Sequence, residues 1–124
     1  MSEEQSHLED AKKLCGKAVE EFEIAREKSD STHLSDACAK AWLSVIEAVN
    51  ALLIKKGMKG EELPKTDRGR RYMVFKHSDR ELRHFYLALR ESFHVEGYYD
   101  RTLGFDEMKE YLNDLMFILY IHKL

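Results

Sequence analysis

The stretch that decides the fold is residues 34–56, which read LSDACAKAWLSVIEAVNALLIKK. Its apolar residues recur at steps of three and four, which is the period of one face of an α-helix. The stretch therefore predicts a long amphipathic helix over about Leu34–Lys56. Thr32 or Ser35 can cap its start, and Gly57 can close its end in a left-handed conformation. The positions that form the apolar face are Ala37, Cys38, Ala41, Trp42, Val45, Ile46, Val49, Leu52 and Leu53.

Three more segments carry the same helical period. They predict helices over about Ser6–Lys28, from Ser78 or Asp79 to about His94, and over about Phe105–His122. No segment shows the alternation that is typical of a β-strand. Four long amphipathic helices with short or moderate connections predict an all-α fold, an antiparallel up-down bundle. We expect one domain over residues 1–124, with its core at about residues 8–122.

Two segments between these long helices are less regular. Asp67–Lys76 is interpreted as a short helix or an irregular turn packed on the bundle. Gly69 weakens a helix there, while the aromatic residues of the segment favour burial. Gly97 interrupts the helical pattern, so Val95–Gly104 is predicted to be a loop rich in aromatic residues. The expected fold is therefore four long helices plus one short helix.

The composition is that of a globular protein. Hydrophobic residues make up 44% of the chain and charged residues 35%. No uninterrupted apolar run approaches the roughly 18–20 residues that a bilayer span needs. The polar, acidic start lacks the features of a signal peptide. We therefore expect a cytoplasmic protein without membrane contact. Cys15 and Cys38 fall on apolar helix faces and are predicted to be buried, reduced thiols.

The charges are distributed unevenly along the chain. Residues Lys65 to Arg90 contain eight basic and three acidic residues, a net charge of +5, whereas the chain as a whole has a net charge of −3. Such asymmetry points to a polyanionic partner, although a solvated basic surface without a ligand has the same signature.

Arg90 and His94 are the candidate catalytic residues. On a continuous helix they form an i,i+4 pair that shares one edge with Arg83. Arginine offers a permanent charge and a fork of donors that fits phosphate, and histidine can transfer protons near neutral pH. The pair suits RNA cleavage without a metal ion. The plainer interpretation is a solvated helix edge.

Further residues complete the predicted RNA- or nucleotide-binding set. Arg83 shares the edge with the pair, Glu91 is the polar residue that follows Arg90, and Arg80 and Lys76 belong to the same basic stretch. Tyr98 and Tyr99 follow His94, where exposed aromatic rings can stack on a base, seal a dimer or pack within a loop.

The sequence does not predict a metal site. Three Glu-x-x-His matches have the spacing used in di-iron bundles, namely Glu4 with His7, Glu81 with His84, and Glu91 with His94. Two of them share one helix, and the third lies close to the start of the sequence. Neither cysteine belongs to a Cys-x-x-Cys pair. We therefore expect no metal and no cofactor.

Two stretches resemble proteins of the HEPN superfamily, nearest its small archaeal PaREP1-like or DUF86-like branch. Residues 36–52, DACAKAWLSVIEAVNAL, resemble the second helix of that family. Residues 89–99, LRESFHVEGYY, resemble its segment of an arginine, a histidine and a following Gly-Tyr element. The resemblance covers roughly Leu8–His122.

The resemblance implies a bundle of four or five helices that forms a homodimer through the helices bearing the motif. Many HEPN proteins are metal-independent endoribonucleases of toxin–antitoxin or defence systems, and others are inactive partners of minimal nucleotidyltransferases. The family motif places four to six residues between arginine and histidine. Here Arg90 and His94 are separated by three, with Glu91 as the polar residue after the arginine. We expect RNA or nucleotide binding with weak ribonuclease activity. The alternative is a non-catalytic module that binds a nucleotidyltransferase or another protein.

Overall fold

The computed structural model describes residues 2–121, and within them the chain is helical without any strand. The all-α prediction is thereby confirmed for this part of the chain. The predicted end of the last helix, His122, lies outside the described residues. The five α-helices are α1 (Glu3–Lys28), α2 (Ser31–Lys55), α3 (Asp67–His77), α4 (Arg80–Leu89) and α5 (Phe105–Tyr120). A short 3-10 turn, Gly60–Glu62, precedes α3, and a π-helix, Arg90–Tyr99, continues α4.

The turn between α1 and α2 is tighter than the sequence pattern suggested. Ser29 adopts a left-handed conformation, and the Asp30 carboxylate accepts hydrogen bonds from the backbone N–H groups of Thr32 and His33. Asp30 is therefore the cap, and the prediction of Thr32 or Ser35 was wrong. A carboxylate satisfies two orphan N–H groups at once, whereas Ser35 is buried inside the helix that it was expected to begin.

The pair α1 and α2 forms the main part of the core. The small residues Ala11, Ala18 and Ala25 on α1 are fully buried, which lets the two helices approach closely. The Ser44 hydroxyl on α2 is also fully buried and donates to the carbonyl oxygen of Ala11 at 2.6 Å. Near the start of α1, His7 pairs with Glu47 late in α2 at 2.5 Å. The two helices therefore run in opposite directions.

Helix α2 is the most apolar element. By length and composition it could cross a membrane, because its 18-residue window has a mean hydropathy of 1.5. The expectation based on uninterrupted apolar runs missed this, since polar residues are scattered along the helix. In the fold, 61% of that window is buried within the protein. Packing between helices accounts for the apolar character of α2.

Both cysteines lie inside this core, as predicted. Cys15 and Cys38 are free thiols with 2% and 0% exposure. Burial raises the pKa of the Cys15 thiol to about 11 and that of Cys38 to about 12. Met108 of α5 completes the layer, with its sulfur 3.4 Å from the Cys38 sulfur.

The segment after Leu89 departs most from expectation. The chain stays helical to Tyr99, in the wider π form. The prediction of a loop over Val95–Gly104 was therefore wrong for the first half of that segment. The Asp100 N–H donates to the Val95 carbonyl at 2.8 Å, an i→i+5 bond. Gly97 is buried, and a Cβ there would lie 2.4 Å from the Cys38 sulfur. Gly97 therefore allows the π-helix to pack closely on α2, and it does not interrupt the helix.

The ambiguous segment is a helix, α3, which forms a hairpin with α4. Thr66 caps α3 by accepting from the Gly69 N–H at 3.0 Å, and Asp79 caps α4 as predicted. Of the residues in α3, only Val74 is buried. Tyr72 and Phe75, which were expected to favour burial, are 62% and 46% exposed.

Candidate functional site

An ion pair joins the two ends of the α3–α4 hairpin. Arg90, the first residue of the π-helix, forms a bidentate ion pair with the carboxylate of Asp67, the first residue of α3. The Arg90 Nε donates to Asp67 Oδ1 at 2.9 Å, and Nη2 donates to Oδ2 at 2.6 Å. The hydrogen bonds from Arg90 lower the pKa of the Asp67 carboxyl below its usual range. Nε and Nη2 are committed to this fork, so Nη1 is the group that faces away from the pair.

The ring of His94 is held between aromatic side chains. It stacks on Trp42 with centroids 5.0 Å apart and an interplanar angle of 20°, and it meets the Tyr99 ring edge-on at 5.0 Å. Burial lowers the pKa of His94, and this effect exceeds the opposing influence of Asp67. Burial therefore favours the neutral form of His94, and stacking holds its ring in orientation.

Two hydrogen-bond donors nearby are buried without a partner among the described residues. One is the hydroxyl of Tyr86, a residue with 4% exposure, and the other is Nε of Arg70. Burial and the charge of Asp67 raise the pKa of the Tyr86 phenol, while the charges of Arg70 and Arg90 and a hydrogen-bond interaction with the Arg70 side chain lower it. The Tyr86 hydroxyl and Arg70 therefore lie next to each other, although no hydrogen bond of good geometry joins them. An unsatisfied buried donor costs roughly 1–3 kcal/mol. An acceptor brought by a ligand would remove that cost.

These side chains form one electrostatic unit, here called the Arg90 cluster. Its members are Asp67, Arg70, Tyr86, Arg90 and His94. Two arginines outweigh one carboxylate, and the neutral imidazole adds no charge. The cluster thus combines positive charge with unused donors, which is the chemistry that recognises an oxyanion.

The comparisons with family models, curated proteins and solved structures give no match. The Arg90 cluster therefore has to be interpreted from its own geometry.

The predicted site residues are divided between two places. Arg90 and His94 belong to the Arg90 cluster. Arg83 lies toward the other end of α4, where its Nε donates to the Ser78 carbonyl at 3.2 Å and its guanidinium covers the Phe75 ring at 5.6 Å. Arg83 lies seven positions before Arg90, about 10 Å along a helix. The structure does not place Arg83 on one phosphate with Arg90 and His94.

The remaining predicted binding residues lie at the surface. Lys76 and Arg80 are exposed on either side of the turn between α3 and α4, near Arg83. Glu91 is exposed on the π-helix. Tyr98 is 44% exposed and meets Tyr99 edge-on at 5.3 Å, on the π-helix rather than in a loop.

The Glu-x-x-His matches do not assemble into a metal centre. Within residues 2–121, no group of three or more histidine, cysteine or acidic residues could hold a metal ion. His7 is paired with Glu47, and His84 is exposed. His94 faces Trp42 while Glu91 is exposed.

Sequence reasoning missed three members of the Arg90 cluster, namely Asp67, Arg70 and Tyr86. Asp67 and Arg70 were counted only as charges of the basic stretch, and Tyr86 fits the apolar stripe of its helix. The signal that could have found them is the hairpin itself. If the segment at residues 67–77 is helical and antiparallel to α4, its first residue lies opposite Arg90.

Proposed function

We propose that this chain binds RNA or a nucleotide by accepting a phosphate group at the Arg90 cluster. The observation that carries the proposal is the pair of adjacent buried donors beside a second arginine, Tyr86 Oη and Arg70 Nε, neither of which makes a hydrogen bond of good geometry within residues 2–121. A phosphate offers several acceptor oxygens and a negative charge, and both match the cluster. The basic stretch that contains the cluster supplies the long-range attraction of a polyanion.

Weak, metal-independent cleavage of RNA is part of this proposal. Because burial keeps His94 neutral, its imidazole can accept the proton of a ribose 2′-hydroxyl. The 2′-oxygen then attacks phosphorus, the bond from phosphorus to the 5′-oxygen breaks, and the 5′-oxygen takes up the proton. Arg70 and Arg90 offset the charge on the phosphate oxygens. Asp67 competes for Arg90, and for this reason we expect cleavage to be slow relative to binding.

The HEPN-like arrangement is also part of the proposal. Antiparallel pairing of α1 with α2 and of α3 with α4 supports an up-down bundle. The exposed Tyr98 and Tyr99, 44% and 67% accessible, provide a surface that a second copy can cover in a homodimer. Light scattering should then give twice the mass of the chain, and Tyr98→Ala with Tyr99→Ala should lower it to that of a monomer.

The test of the binding site uses substitutions that remove single groups. Binding of a labelled RNA oligonucleotide in the presence of EDTA is compared for the wild type, Tyr86→Phe and Arg70→Ala. Tyr86→Phe deletes only the unpartnered hydroxyl, so it leaves the packing intact. His84→Ala, an exposed residue on the same helix, is the matched control. We expect both cluster variants to weaken binding and the control to match the wild type. Binding curves identical to the wild type for both cluster variants would refute the proposal.

Cleavage is tested separately with His94→Ala and Arg90→Ala. Slow cleavage that requires both residues supports the ribonuclease activity, and binding without cleavage limits the function to recognition. The second candidate function is a non-catalytic module that binds a protein such as a minimal nucleotidyltransferase. It is favoured by the exposed Tyr98 and Tyr99 and by the occupation of Arg90 by Asp67.

A further inference from the structure

One face of α3 combines basic and aromatic side chains. The members of this α3 face recur at steps of three and four, so they lie on one side of the helix, and all are exposed. Tyr72 is 62% and Phe75 is 46% exposed. The α3 face consists of Arg68, Arg71, Tyr72, Phe75 and Lys76.

The hydrophobic core does not account for these two aromatic rings. The opposite side of α3 carries Val74, which is 2% exposed and belongs to the core, so the helix is already anchored without Tyr72 and Phe75. The Phe75 ring contacts the guanidinium of Arg83 at 5.6 Å, which brings a further positive charge to the surface. A solvated charged surface would not need exposed aromatic rings between its charges.

The charge of the α3 face favours a polyanion. Three of its five residues are basic and none is acidic. The acidic residues at the two ends of the helix are already engaged. Asp67 is held by Arg90 at 2.6 Å and also pairs with the Arg71 Nε at 3.9 Å, so it offsets part of the charge of Arg71. The Asp79 carboxylate, in the turn after α3, accepts from the Leu82 N–H at 2.8 Å.

We propose that the α3 face binds single-stranded RNA, with bases stacking on Tyr72 and Phe75 and phosphates contacting Arg68, Arg71 and Lys76. Aromatic rings exposed among basic residues suit unpaired bases, because every base has a flat face and the bases of a duplex are already stacked on each other. This inference rests on the proposed function and deepens it. It specifies that the RNA is single-stranded. It also predicts that the strand crosses α3, whose other side carries Arg70 of the Arg90 cluster.

The experiment measures the dissociation constant by fluorescence anisotropy with a labelled oligouridine of about 12 nucleotides, within the usual site size for single strands. The aromatic variant is Tyr72→Ala with Phe75→Ala, and the basic variant is Arg68→Ala with Arg71→Ala. Matched controls are Tyr120→Ala, another exposed aromatic residue, and Lys13→Ala with Lys17→Ala on α1. Tyr86→Phe reports on the Arg90 cluster in the same assay.

We expect the aromatic variant to raise the dissociation constant by at least about tenfold, the scale of one lost stacking contact. The basic variant should reduce the slope of log affinity against log salt by about 1.4, because two phosphate contacts to a single strand are lost. Both controls should match the wild type. Circular dichroism should show unchanged helicity, because all four substituted side chains are exposed.

The outcomes separate this inference from the proposed function. If Tyr86→Phe weakens binding and neither α3 variant does, the inference is overturned and the Arg90 cluster stands. If the α3 variants weaken binding and Tyr86→Phe does not, the α3 face is supported and the cluster fails. If the wild type binds a duplex of the same length as tightly, or anionic vesicles instead of RNA, the inference is overturned. If it binds no RNA at all, both proposals fail.

Discussion

The His94 ring shows how neighbouring side chains set the chemistry of one residue. Trp42 on its face and Tyr99 at its edge partly bury the ring, and this burial disfavours the charged imidazolium. The pKa of His94 lies below its ordinary value of 6.5 for this reason. A histidine exposed on a helix edge, as the sequence pattern suggested, would titrate at its usual pH. Here the stacked ring is held in place, and its neutral form is favoured.

Trp42 is the only tryptophan in the chain and therefore reports on His94 directly. We expect its fluorescence to change with pH as the stacked imidazole becomes charged, with a midpoint below 6.5. His94→Gln should remove the transition, whereas His33→Gln, on a helix end away from Trp42, should leave it. A midpoint at or above 6.5 would contradict the burial of the imidazole.

The Asp67–Arg90 pair makes a pH-dependent contribution to stability. A double-mutant cycle with Asp67→Asn and Arg90→Gln should give a coupling below about 1 kcal/mol at pH 7, because both side chains are partly exposed to solvent. The pKa of Asp67 is lowered from 3.8, so the coupling is fully present above that value. It is lost as pH falls through the folded-state pKa. Urea unfolding at several pH values measures this, and a coupling that disappears between pH 7 and 5 would refute the assignment.

Among the helices, the π-helix Arg90–Tyr99 positions both candidate catalytic residues, Arg90 and His94. It begins at Arg90 and carries His94 against Trp42, while Gly97 packs directly on Cys38. The sequence pattern predicts the four long helices and the Asp79 cap because apolar periodicity and capping residues are local signals. The π-helix leaves no such signal. Gly97 reads as a helix breaker until its neighbour on α2 is known.

Substituting Gly97 tests this packing. Gly97→Ala should destabilise the protein by about 1–3 kcal/mol, since the new Cβ would lie 2.4 Å from the Cys38 sulfur and 2.7 Å from its Cβ. Gly16→Ala is the matched control, because Gly16 is an exposed position of α1 and nothing lies within 4 Å of a Cβ added there. It should stabilise the protein by up to about 1 kcal/mol. Equal unfolding midpoints for the two variants would show that the close contact is absent.

Across the whole molecule, burial is unevenly shared between the two hairpins. Helix α2 buries thirteen residues and α1 five, whereas α3 buries one and α4 two. The candidate site lies where the weakly buried hairpin meets the strongly buried one. Sequence reasoning located Arg90 and His94, which share a helix. It could not locate Asp67, Arg70 and Tyr86, because their grouping depends on contacts across the hairpin.

Hydrogen exchange should resolve the two hairpins. Amides of α1 and α2 should exchange only through global unfolding, and those of α3 should exchange through a smaller opening with a lower free energy. Addition of RNA should slow exchange in α3 more than in α1. Equal protection of α1 and α3 in the free protein would contradict the uneven burial.

The chain order of α1 and α2 has a consequence during synthesis. Helix α2, apolar enough to resemble a membrane span, follows α1, whose small residues form its cover. When α2 leaves the ribosome, its partner has already been made, so the helical hairpin can close before residues beyond Lys55 emerge. A chain that made α2 first would expose this apolar helix to chaperones and targeting factors before α1 could cover it. We therefore expect a circular permutant that begins with α2 to be bound by these factors more often than the natural chain order.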